Sequence, residues 1–117
     1  MAFKFEKLEV WNLSLEYSDM MYKLVKNFPR DEEYNLKSQL LRSVTSISLN
    51  IAEGSTGQTN LEFKRFINMA ARSNVETIAC LHLANRRNYI DEGDFKSAYG
   101  FGEKLFAKLH ALRRSIK

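Results

Sequence analysis

Apolar residues recur every three to four positions through four stretches of this chain, and each stretch reads as an amphipathic helix. The most informative is the second. Leu40, Leu41, Val44, Ile47 and Ile51 share a helical face, which predicts a helix over residues 34–53. Gly54 is expected to stop it, since glycine tolerates the left-handed conformation past a helix end. Thr59 then reads as the N-cap of a third helix, with Glu62 as its capping-box partner.

The first helix is expected over residues 8–27, ended by Phe28-Pro29, because proline disfavours helical geometry in the residue before it. Its apolar residues form two sets. Leu8, Trp11, Leu15, Tyr22 and Val25 line one face; Val10, Leu13, Tyr17, Met20 and Leu24 line another. Trp11 and Leu13 lie about 200° apart around a helix, so one small core does not satisfy both. Either the second stripe meets another subunit, or its long side chains lie along the surface. Exposed apolar stripes of this length are uncommon on monomers. The reading is therefore an oligomer interface made by Val10, Leu13, Tyr17, Met20 and Leu24.

Asp31-Glu32-Glu33 reads as the first turn of the second helix, where acids suit the macrodipole, with Asp31 as N-cap. The third helix is expected over residues 60–87, with Phe63, Ile67, Ala70, Ile78, Leu81 and Ala84 on its apolar face. Asn88 suits a left-handed C-cap, and Asp91 the next N-cap. The fourth helix is expected over residues 92–115, with Phe95, Ala98, Gly102, Leu105, Leu109, Leu112 and Ile116 inward. Gly93, Gly100 and Gly102 either fray its start or permit close packing. Valine, isoleucine and threonine do not alternate as strands would. Short connections then give an all-α, antiparallel up-down-up-down four-helix bundle, a single domain over residues 1–117.

Composition narrows the chemistry. Cys80 is the only cysteine, which excludes an internal disulfide framework and a cysteine-rich zinc site. It reads as a small buried residue. No signal peptide is recognised at the start and no apolar run approaches the ~20 residues of a membrane span. A cytoplasmic setting is the expectation. His82 and His110 are far apart and no Glu-x-x-His pair is present, so no metal or other cofactor is expected. Gly54-Ser55-Thr56-Gly57 lacks the lysine and spacing of a P-loop. No serine pairs with a histidine and a carboxylate. Asn50, Glu53 and Glu76 read as interhelical hydrogen-bonding groups that fix register rather than as an acid–base pair.

Charge is uneven. Residues 1–58 carry 7 Lys and Arg against 8 Asp and Glu, whereas residues 59–117 carry 11 against 6. Two basic features stand out. Arg65, Arg72 and Arg86 are separated by multiples of seven, opposite the apolar face of the third helix. Lys104, Lys108, Arg113, Arg114 and Lys117 fan around the end of the fourth. Both features permit phosphate contacts. The competing reading is a solvated charged face, with Arg72 paired to Glu76 one turn on.

Ser38-Gln39-Leu40 through Ile47, then Asn50-Ile51-Ala52-Glu53-Gly54-Ser55, resembles the signature of the four-helix-bundle family encoded in intervening sequences of bacterial 23S ribosomal RNA genes. The accessory proteins of diversity-generating retroelements are similar to that family. The likeness continues in Phe5–Trp11, Phe28-Pro29, Glu62-Phe63, Arg65-Phe66, Asn68, Ala70, Ser73, Glu76, Leu81, Ala84 and Tyr89-Ile90. Departures are Ser48, where the family commonly has proline, and Thr56-Gly57, where it has glycine then arginine. Arg72 and Asn88 also stand where glycine is common. The resemblance implies a four-helix protomer, in this family often assembled as a homopentamer. Its retroelement relatives bind nucleic acid and a reverse transcriptase. The expected function is thus a non-enzymatic oligomer that binds RNA or DNA through Arg65, Arg72, Arg86, Lys104, Lys108, Arg113 and Arg114. The alternative is a protein-interaction scaffold, for a reverse transcriptase or a ribosome-associated partner, without direct nucleic-acid binding.

Overall fold

The computed structural model describes residues 3–117, and the described residues form helices and short connections with no strand. Four long helices make an antiparallel bundle: α1 (Glu9–Leu24), α2 (Leu36–Ser55), α3 (Asn60–Arg86) and α4 (Glu92–Ser115). Its extents are 43 × 24 × 23 Å. Each helix packs on its sequence neighbours and α4 closes back on α1, as short connections demand.

Most helix ends follow local chemistry. Thr59 Oγ1 accepts from the Glu62 N–H at 3.0 Å, and Asp91 Oδ1 accepts from the Asp94 N–H at 2.7 Å. The Glu62 carboxylate reaches one residue past the cap, to the Gln58 N–H at 3.3 Å. Asn88 takes the left-handed conformation, φ 60°. This lets the Tyr89 N–H return to the Ala84 carbonyl at 2.9 Å.

Two ends differ from expectation. Gly54 does not stop α2, which runs on to Ser55, and no glycine has positive φ. Gly54 is buried in the helix because a Cβ there would collide with the Cβ of Phe66 on α3. It marks a close helix crossing. The Asp31 region is likewise not the start of α2. Arg30–Glu32 form a separate 3-10 turn, and α2 begins at Leu36. Glu32 Oε1, not Asp31, caps α2, accepting from the Leu36 N–H at 3.2 Å. Its other oxygen accepts from the Tyr89 hydroxyl at 2.7 Å, which pins this turn to the α3–α4 connection.

The α1 stripe read as a subunit interface faces the protomer core. Val10, Leu13, Tyr17 and Leu24 are buried with 4%, 7%, 0% and 7% exposure. Met20 is half-buried and packs against the same core. The outward residues come from the other stripe, with Leu15 and Tyr22 exposed. Tyr17 decides the orientation: its ring stacks on Phe101 of α4 at 5.5 Å, in space left open by Gly102.

Register is set by hydroxyls rather than by the expected acids. Ser43 Oγ meets Thr77 Oγ1 at 2.7 Å, and Ser73 Oγ donates to Ser46 Oγ at 3.1 Å, both between α2 and α3. Ser14 Oγ meets Ser48 Oγ at 2.8 Å between α1 and α2. Asn50 supports this layer, donating to Ser46 Oγ at 3.0 Å within its own helix. The Glu53 and Glu76 side chains are exposed and make no hydrogen bond or ion pair with another described residue. Side chains this small let α2 and α3 approach closely while each hydroxyl keeps a partner.

Candidate nucleic-acid interface

Arg65, Arg72 and Arg86 are all exposed. The pairing of Arg72 with Glu76 does not form: among the described residues the ion pairs are Lys37–Glu33 and Lys108–Glu9. Arg65 lies over the Phe66 ring, 5.4 Å from its centroid. Its surroundings include Glu53 and Glu62 in a shallow depression beside the α2–α3 loop.

Antiparallel packing decides which cations meet. Phe106 and His110 of α4 lie against Asn68 and Arg72 of α3. The basic end of α4, with Arg113 and Arg114 exposed, therefore sits beside the N-terminal half of α3. Arg86 lies fourteen residues beyond Arg72, about 21 Å along the helix. It stands at the other end of the bundle, where Asp91, Glu92 and Asp94 begin α4. The seven candidate cations thus divide. Arg65, Arg72, Arg113 and Arg114 share one end, and Arg86 stands apart. Lys104 lies over the Phe101 ring of its own helix, 6.0 Å from the centroid, and Lys108 turns toward α1, where it pairs with Glu9 at 3.3 Å. An exposed pair of this kind contributes under about 1 kcal/mol and leaves the lysine available.

Four exposed apolar residues, Leu61, Met69, Val75 and Leu83, alternate with these arginines on α3. Sequence reading missed them because it sought one inward stripe. Their spacing among Arg65, Arg72 and Arg86 was the available signal.

The remaining candidates are structural. Burial raises the Cys80 thiol to about 11, and Glu76 adds to the effect. His82 stands edge-on to Phe95 at 5.1 Å, and His110 edge-on to Phe106 at 4.5 Å. No group of three or more His, Cys, Asp or Glu stands together to hold a metal among the described residues. No described helix is long and apolar enough to cross a membrane.

Fold and surface define a small all-helical bundle with a basic end and a mixed basic–apolar helix face. The family of 23S rRNA-intervening sequence proteins matches residues 6–111, and the chain belongs to it. A crystal structure from Bacteroides thetaiotaomicron VPI-5482, of a protein with unknown function from the S23 ribosomal protein family, is similar. Its TM-score is 0.83 and its identity 28%, over 91% of this chain and 99% of that one. No curated protein matches.

Proposed function

We propose that this protein is a non-enzymatic, cytoplasmic oligomer that binds RNA or DNA through phosphate contacts. The observation that carries the reading is that Arg65, Arg72 and Arg86 are exposed and free of ion pairs with other described residues. Arg113 and Arg114 extend the same charge around one bundle end. Such a surface recognises backbone charge with little base readout. The test is binding to RNA and to duplex DNA across a salt series, with the three α3 arginines replaced by glutamine.

Assembly is part of the proposal. Leu15 and Tyr22 of α1 and Leu49 of α2 are exposed apolar residues away from the arginine face of α3, and they offer protomers a contact surface that leaves the arginines free. The family resemblance implies a closed homopentamer. Repetition of the basic end around a ring raises avidity.

The second reading is a scaffold for a protein partner, such as a reverse transcriptase or a ribosome-associated protein. The interleaving of Leu61, Met69, Val75 and Leu83 with the arginines favours it, because arginine among apolar side chains is characteristic of protein interfaces. Failure of the wild-type protein to bind nucleic acid at low salt selects this reading.

A further inference from the structure

Between α3 and α4, on the side away from α1, lies an open groove. Val75, Phe106 and His110 line it, with Asn68 and Arg72 on the α3 rim. It continues past Phe106 to Tyr99. The ring of Phe106 is half-buried against the core and His110 stands edge-on to it at 4.5 Å. None of Asn68, Arg72 and His110 makes a side-chain hydrogen bond or ion pair with another described residue. Three polar groups with unused capacity thus converge on an aromatic floor, the usual anatomy of a ligand site.

Charge around the groove selects the ligand. Arg72 stands on one rim, and Arg113 is exposed one helical turn beyond His110. Lys64, one turn before Asn68, extends the basic end. The acid lining the groove, Glu103, lies at the Tyr99 end. An aromatic floor with cations at one end matches a flat base joined to a phosphate. A duplex hides its base faces in the stack, whereas a single strand can offer them.

We propose that this groove binds single-stranded nucleic acid, with a base stacked on one ring of the Phe106–His110 pair and held at its edge by the other, and the flanking phosphates held by Arg72 and Arg113. Asn68 supplies an amide at the base edge. The proposal rests on the nucleic-acid reading above and deepens it, since phosphate contacts alone do not distinguish a base-bearing strand from a bare backbone.

The test compares a deoxyadenosine oligonucleotide with an abasic oligonucleotide of equal length, by fluorescence anisotropy with the full chain. Stacking one base predicts about tenfold tighter binding of the base-bearing strand. In Phe106→Leu and in His110→Ala that ratio falls toward one. Circular dichroism checks that each variant keeps its helices, and the half-exposed His110 position decides the matter if Phe106→Leu does not fold. Equal affinity of the wild-type protein for the two strands overturns the groove proposal and leaves phosphate binding standing. So does binding of duplex but of neither single strand. A ratio that persists in both variants moves the stacking elsewhere and also overturns it. Absence of binding to every oligonucleotide and duplex overturns both readings.

Discussion

Tyr17 and Gly102 occupy one another's space: a Cβ placed on Gly102 would stand 2.6 Å from the Tyr17 hydroxyl oxygen. Both residues are buried, and the same Cβ would lie 3.0 Å from Ile78 Cγ1. The α1, α3 and α4 helices therefore meet at a residue that has no side chain. The Tyr17 hydroxyl and Asn74 Oδ1 are buried there without a hydrogen-bond partner among the described residues, while Asn74 Nδ2 donates to the Gly102 carbonyl at 3.0 Å. Burial pushes the Tyr17 phenol upward from its ordinary pKa and keeps it neutral.

Gly102→Ala is expected to destabilise the bundle by about 1–3 kcal/mol, the usual cost of overpacking. Tyr17→Phe removes the atom in the way, so the double variant should recover part of the loss. Strictly additive losses in urea denaturation would deny the coupling. Gly54→Ala should be the harsher change, because the Cβ of Phe66 is fixed to its backbone and cannot rotate away. Gly100 is the control. Nothing lies within 4 Å of its added Cβ, and Gly100→Ala should stabilise the helix by about 0.5–1 kcal/mol.

The Tyr89 hydroxyl donates to Glu32, and this bond above all, with the Leu36 N–H, holds the Glu32 carboxyl below its ordinary value of 4.5. A depressed folded-state pKa stabilises the fold above the unfolded value. That contribution fades as pH falls through the lower, folded value. Tyr89→Phe should therefore be less stable than wild type at pH 7, with the gap narrowing as the solution is acidified below 4.5. Denaturation midpoints at neutral and acid pH measure it. A gap independent of pH would place the effect in packing rather than in the Glu32 bond.

Assembly can be separated from folding by the two faces of α1. Leu13 is 7% exposed, and Leu13→Asp should collapse helical content, since an unpaired charge in the core is strongly destabilising. Leu15→Asp combined with Tyr22→Asp changes outward side chains, with 40% and 50% exposure. That variant should keep its circular dichroism and lose its oligomer in light scattering. If it sediments like wild type, the ring uses another surface.

Local signals set several of the helix ends. Asn88, Asp91 and Thr59 act within three to five residues of themselves, and each takes the backbone role its side chain suggests. The choice between the α1 stripes was not legible, because both are apolar. What selects one is the fit of Tyr17 against Gly102, 85 positions away. Gly54 was misread for a similar reason: a glycine near a helix end looks like a stop until Phe66 is seen across from it. The serine layer was hidden because Ser43 also donates to the Leu40 carbonyl of its own helix. A serine so satisfied resembles a surface residue until a second helix arrives. At the candidate interface, exposure of the arginines followed from periodicity. Their division between bundle ends did not, since it depends on where α4 terminates against α3.

On the proposed reading, exposed arginines on α3 bind nucleic-acid phosphates. Its most direct test is the slope of log affinity against log salt, for RNA and for duplex DNA, in wild type and in the Arg65→Gln, Arg72→Gln, Arg86→Gln triple variant. Losing phosphate contacts means fewer counterions released, so binding should weaken and the slope flatten for both ligands, by up to about three contacts. Helical content and oligomer size should be unchanged. Equal affinity and an equal slope in the triple variant would contradict it.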